Sequence, residues 1–144
     1  TDGGAVGNAW WKADIGETMR LQSVNIQNRG DGCCPERLRD IQVEVLDGSG
    51  TPVWTSITLN PGNSSGSPSA IFLDLQALNG GVPVFGNQIR ITRITDGTGG
   101  LGPDDSRVLA MGEVTFIGGS VPEASSVGCL SLALGLLLAR RKRD

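Results

Sequence analysis

The stretch "NRGDGCCPERLRD", residues Asn28 to Asp40, sets two adjacent cysteines among Arg29, Asp31, Glu36, Arg37 and Arg39. Adjacent thiols pack poorly in a core and cannot easily both reach one metal, so the segment reads as a binding loop. In an oxidising compartment Cys33 and Cys34 can close a small-ring disulfide that is rigid, mildly apolar and exposed. The nearby arginines would supply hydrogen-bond donors, and Asp31 would hold one of the guanidinium groups in place. A carbohydrate calls for that mixture, because its C–H faces need an apolar platform and its hydroxyl edges need fixed polar groups. Free thiols and a redox pair are the alternatives for the cysteines, although redox motifs usually space theirs by two residues. For Arg29 and Asp31 the alternative is a solvated loop ion pair of little energetic weight. Zinc is poorly supplied by three cysteines, one of them at position 129, and no histidine.

Short alternating apolar runs separated by turn residues surround this loop, the pattern of half-buried antiparallel strands. "LQSVNIQN" puts Val24 and Ile26 on one face, and "IQVEVLD" does the same with Ile41, Val43 and Val45. Further strands are predicted at "PVWTS" around Trp54, "IFLDL" (71–75), "NQIRITRIT" (87–95) and "EVTFIG" (113–118), with "DGSG" (47–50) and "NPGNSSGSPS" (60–69) as turns or loops. The pattern is that of an all-β sandwich. Trp10 and Trp11 are expected in core and edge packing, and Arg90 and Arg93 as surface charges.

Composition narrows the function. The chain has 144 residues, of which 38% are hydrophobic, enough for one ordinary core. Aromatic content is 4%, so stacking platforms for nucleic acid are not expected. Residues 1 to 120 hold eight basic and thirteen acidic side chains, a balance of -5 that repels polyphosphate. No histidine is available to a nucleophile, no phosphate-cradling glycine loop precedes a helix, and Asp104-Asp105 has no identifiable carboxylate partner. An enzyme is therefore not expected.

After residue 118 the character of the chain changes. "VPEASS" is a polar spacer, "VGCLSLALGLLLA" (127–139) carries no charge over 13 residues, and "RRKRD" (140–144) ends the sequence. As a helix, the uncharged stretch from Ala124 to Ala139 would be roughly 24 Å long, able to cross a bilayer if the flanking arginines snorkel. The three blocks together resemble the PEP-CTERM sorting signal of Gram-negative envelope proteins. Val121-Pro122-Glu123 matches the start of the motif, and Ala124 stands where its second proline would be. That resemblance implies processing near Pro122-Glu123 by an exosortase and delivery to the bacterial cell envelope, surface-exposed or secreted.

"NAWWKADIG", "VNIQNRGDGCCPERL" and "QIRITRIT…MGEVTFIG" are similar to the F-type lectin (fucolectin) branch of the F5/8 type C galactose-binding-like jelly rolls, over nearly all of residues 1 to 118. Trp10, Trp11, Asp14, Ile15 and Gly16 match the double tryptophan and Asp-Leu-Gly that begin a core strand in that family. The resemblance implies sugar-binding roles for Arg29, with Asp31 as its acidic companion, and for Arg37, and a vicinal Cys33-Cys34 disulfide stacked on the sugar ring. Five residues, Gly32 to Glu36, separate Asp31 from Arg37, one more than is usual there. The family's binding histidine would fall at or before Thr1. Its structural calcium implies a ligand role for Glu113.

The combined expectation is a galactose-binding-like jelly-roll sandwich over 1–118, a linker with the sorting motif at 119–126, a transmembrane segment at 127–139 and a basic cytoplasmic tail at 140–144. Its expected function is noncatalytic binding of a glycan, with fucosylated ones as candidates. The alternative is a structural or adhesive envelope protein that keeps the fold without a working sugar site.

Overall fold

A computed structural model describes residues 8–94 and 108–121. Each predicted strand is present: β1 (Trp10–Gln27), β2 (Ile41–Leu46), β3 (Pro52–Thr55), β4 (Ala70–Asp74), β5 (Val84–Arg93) and β6 (Glu113–Ser120). All pairings are antiparallel, in the order β3-β2-β5-β1-β4, and β6 also pairs with β1.

β1 is much longer than the alternation around Val24 and Ile26 alone predicts, and it organises the fold. Its first half pairs with β5, and its second half runs between β4 and β6. Between the halves the register slips: Asp14 faces Gln88 and Met19 faces Gly86, so four residues of β1 lie opposite Asn87 alone. The Asp14 carboxylate accepts from the Gly16 amide at 2.8 Å at the start of this bulge, which bends the strand. The two halves then close over one core. Ile41, Val43 and Val45 from β2 and Ile89 and Ile91 from β5 meet Leu21, Val24 and Ile26 from β1 and Leu73 from β4. Most of these side chains are wholly inaccessible, so the period-2 reading of the core holds.

One element was not foreseen. "IFLDL" does not remain a strand through Leu75, because Asp74 caps a single helical turn, α1 (Leu75–Leu78), by accepting from the Ala77 amide at 2.9 Å. Among the described residues no helix is long and apolar enough to cross a membrane. The sorting motif beyond Val121, the predicted span at 127–139 and the basic end lie outside the described residues.

Candidate functional site

The loop from Asn28 to Asp40 joins the end of β1 to the start of β2, and local chemistry gives it much of its shape. The Asp31 carboxylate accepts from the Cys33 amide at 3.1 Å and also meets the Arg29 guanidinium. The guanidinium, and secondarily the Cys33 amide, holds the Asp31 carboxyl below the ordinary carboxylate range, while Asp31 raises Arg29 in turn. Gly32 (φ 73) and Cys34 (φ 53) both take the left-handed conformation, which glycine adopts freely and cysteine does not. Pro35 then starts a 3-10 turn, Pro35–Arg37, closed by the Arg37 amide donating to the Cys34 carbonyl at 3.1 Å. Gly32 therefore sits where a left-handed turn brings Asp31 and Cys33 together.

Cys33 and Cys34 are thiols here, with sulfurs 2.6 Å apart. The Cys34 thiol is pushed up, first by its contact with Cys33 and then by burial. A thiol shifted in that direction carries less thiolate at neutral pH, the opposite of an activated nucleophile.

Longer-range contacts supply the rest of the loop's rigidity, and they involve residues that the motif reading passed over. Asn28 donates from its side-chain amide to the Pro35 carbonyl at 2.8 Å and the Pro68 carbonyl at 2.9 Å, and accepts from the Arg29 amide at 2.8 Å. One side chain thus ties the start of the loop to its middle and to the neighbouring 60–69 loop. Asn60, buried and left-handed, donates to the Leu38 carbonyl at 2.8 Å and accepts from the Ser65 amide at 2.8 Å. Asp40, also left-handed, accepts from the Gly62 amide at 2.5 Å.

Beneath the loop lies a buried charge cluster. Asp40 stands 3.5 Å from Arg39 and 3.7 Å from Arg93, all three almost fully covered. Arg93 donates to the Arg37 carbonyl at 2.8 Å. The expectation of a surface charge at Arg93 is thereby corrected: Ile89, Ile91 and Arg93 share the inward face of β5, whereas Arg90 lies on the outward face. The parity of the strand carried that signal. Trp10 is 44% exposed at the edge, where β1 pairs with β5 alone, and Trp11, one residue on, packs against the core.

Glu113 is exposed at the start of β6, opposite Gln27. Among the described residues no three Asp, Glu, Cys or His side chains gather as metal ligands.

A family model described as NedA-like, galactose-binding domain matches residues 1–77, more than half of the chain and the whole of this loop. The chain belongs to that family. Fucolectin-6 of Anguilla japonica is 40% identical over 50 residues, which make up 35% of this chain and 25% of that protein. The chain thus spans about a quarter of the curated relative it matches. Among solved structures, a fucose binding module of Streptococcus pneumoniae superposes with a TM-score of 0.55 at 22% identity, covering 75% of this chain and 62% of that one. The lectin domain of lectinolysin, complexed with Lewis B antigen, superposes with a TM-score of 0.59 at 20% identity, covering 79% and 67%. At these identities the structural likeness establishes the fold. All three relatives are named as lectins or binding modules and none as an enzyme.

Proposed function

We propose that this galactose-binding-like domain is a noncatalytic carbohydrate-binding module whose site is the loop carrying Arg29, Asp31, Cys33, Cys34 and Arg37. One observation carries the reading: Arg29 is paired with Asp31, whose carboxylate also holds the Cys33 amide, on a loop that Asn28 ties to its own middle and to the 60–69 loop. Aimed, preorganised donors next to a firm apolar surface are what a weakly hydrophobic, hydroxyl-rich ligand requires. Oxidation of Cys33 and Cys34 needs their sulfurs to approach by roughly half an ångström, to the ~2.05 Å of a disulfide, and would complete that surface as a single rigid plate. The names of Fucolectin-6 and of the fucose binding module support a fucose-containing glycan as the ligand.

In this reading the guanidinium groups of Arg29 and Arg37 donate to sugar hydroxyls, Asp31 keeps Arg29 extended, and the sulfurs meet a C–H face of the ring. No covalent step is involved. Delivery by an exosortase to the bacterial envelope, on the strength of Val121-Pro122-Glu123, the apolar 127–139 and Arg140 to Arg143, is part of the same proposal. It places residues 1–118 outside the membrane and 140–144 on its cytoplasmic side.

The test is calorimetric titration of the full chain with a fucosylated oligosaccharide. Arg29→Ala and Arg37→Ala should each weaken binding roughly tenfold or more, the loss of about one charge-assisted hydrogen bond. Undiminished affinity in both variants overturns the assignment. A chain that binds no glycan but still associates with cells would favour the structural or adhesive alternative.

A further inference from the structure

The antiparallel register brings six polar and aromatic side chains into one block on the outward face of β1, β5 and β2. Trp10 is paired with Thr92 and Thr92 with Gln42; two residues along, Lys12 is paired with Arg90 and Arg90 with Glu44. Together they line an open cavity of 470 Å³. That volume falls within the roughly 300–1,000 Å³ typical of small-molecule sites. The cavity is separate from the cysteine loop: Arg93, which supports Arg37, points to the inward face of β5, while Arg90 and Thr92 point outward.

Each member of the block has a definable chemical capacity. Trp10 offers an indole that is 44% exposed. Arg90 and Glu44 form a two-pronged pair at 2.6 and 3.0 Å, which fixes the guanidinium plane and neutralises both charges. Gln42, whose side-chain nitrogen already donates to the Ser56 carbonyl at 3.1 Å, keeps its oxygen as an acceptor, and the Thr92 hydroxyl can donate and accept. Lys12 has only a weak contact, 3.4 Å to the Gln88 side-chain oxygen, and no carboxylate partner among the described residues. The six lining side chains therefore sum to one net positive charge beside an aromatic plate, with the Asp14 carboxylate two residues beyond Lys12 on the same face of β1.

We propose that this cavity is a second ligand site, for an acidic saccharide: a pyranose ring laid on Trp10 with its carboxylate directed at Lys12. An aromatic face suits the C–H side of such a ring, Gln42, Thr92 and the outer edge of Arg90 suit its hydroxyls, and the Lys12 ammonium, which has no ion-pair partner among the described residues, selects a carboxylated sugar over a neutral one. The proposal goes beyond the function of the cysteine loop and does not depend on it.

The experiment titrates the full chain by calorimetry with trigalacturonic acid and, separately, with a neutral galactotriose, and follows the Trp10 indole N–H resonance wherever Trp10 is present. Trigalacturonic acid should saturate the Trp10 signal, with the neutral trisaccharide roughly tenfold weaker. Lys12→Gln should remove that preference and Trp10→Ala should abolish binding; Trp10→Phe, which keeps an aromatic plate, should retain it if the alanine variant is poorly folded. Arg29→Ala should leave the titration unchanged, which separates failure of this site from failure of the cysteine loop. An unperturbed indole, equal affinity for the two trisaccharides, or a response lost in Arg29→Ala each overturns the proposal.

Discussion

Asn28→Ala should loosen the binding loop at both of its anchor points. The wild-type side chain makes three hydrogen bonds, donating to Pro35 and Pro68 and accepting from Arg29, in a part-buried position. At about 0.5–1.5 kcal/mol each, their sum is about 1.5–4.5 kcal/mol, and partial access of water to the freed groups favours the lower half of that range. A cost of about 2 kcal/mol corresponds to a fall of roughly 8–16 °C in melting temperature for a domain of about 100 residues. Urea denaturation followed by tryptophan fluorescence measures it, and calorimetry with a fucosylated oligosaccharide measures the accompanying loss of affinity as the loop spends more time open. Asn28→Asp is the stringent control. It keeps an oxygen for the Arg29 amide but turns acceptor against acceptor at Pro35 and Pro68, so it should destabilise more than alanine does. A change below about 0.5 kcal/mol in Asn28→Ala, or an aspartate variant more stable than the alanine one, refutes the bracing role.

Gly112→Ala should act on the same residue from outside the loop: a Cβ there would stand 2.6 Å from the Asn28 carbonyl oxygen, so overpacking of about 1–3 kcal/mol is expected by urea denaturation. Asp40→Asn keeps the side-chain shape and the tolerance for a left-handed backbone but leaves Arg39 and Arg93 facing a neutral group, at a cost of roughly 3 kcal/mol in the same assay. Because the folded Asp31 carboxyl titrates below its ordinary value, its contribution to loop order is complete above about pH 4 and is lost as the pH falls through the lowered value. Sugar affinity should therefore be flat from pH 8 to about 5 and fall only in stronger acid, with Asp31→Asn weaker at neutral pH and without that acid transition.

What the sequence by itself determined is whatever depends on neighbours along the chain. Alternation in "IQVEVLD" and "VNIQ" identified Ile41, Val43, Val45, Val24 and Ile26 as core because successive strand residues must face opposite sides. The same logic, applied to Ile89, Ile91 and Arg93, would have put Arg93 inside; its charge argued otherwise, and the nearby carboxylate of Asp40, 53 positions earlier, could not be seen. Asp31 binding the Cys33 amide is equally local, so the motif around the cysteines was legible before the fold was known. Tertiary structure decided the rest. Asn28 reaches Pro68 across 40 positions and Arg90 reaches Glu44 across 46, and nothing in either residue's local setting names its partner. The bulge after Asp14 bends β1 so that one strand serves both halves of the sheet, and the register of β1, β5 and β2 aligns Trp10, Thr92 and Gln42. Hydrogen-bonded register is a property of paired strands. It fixes which distant side chains share a face, and so only the folded chain could assemble the block around Trp10.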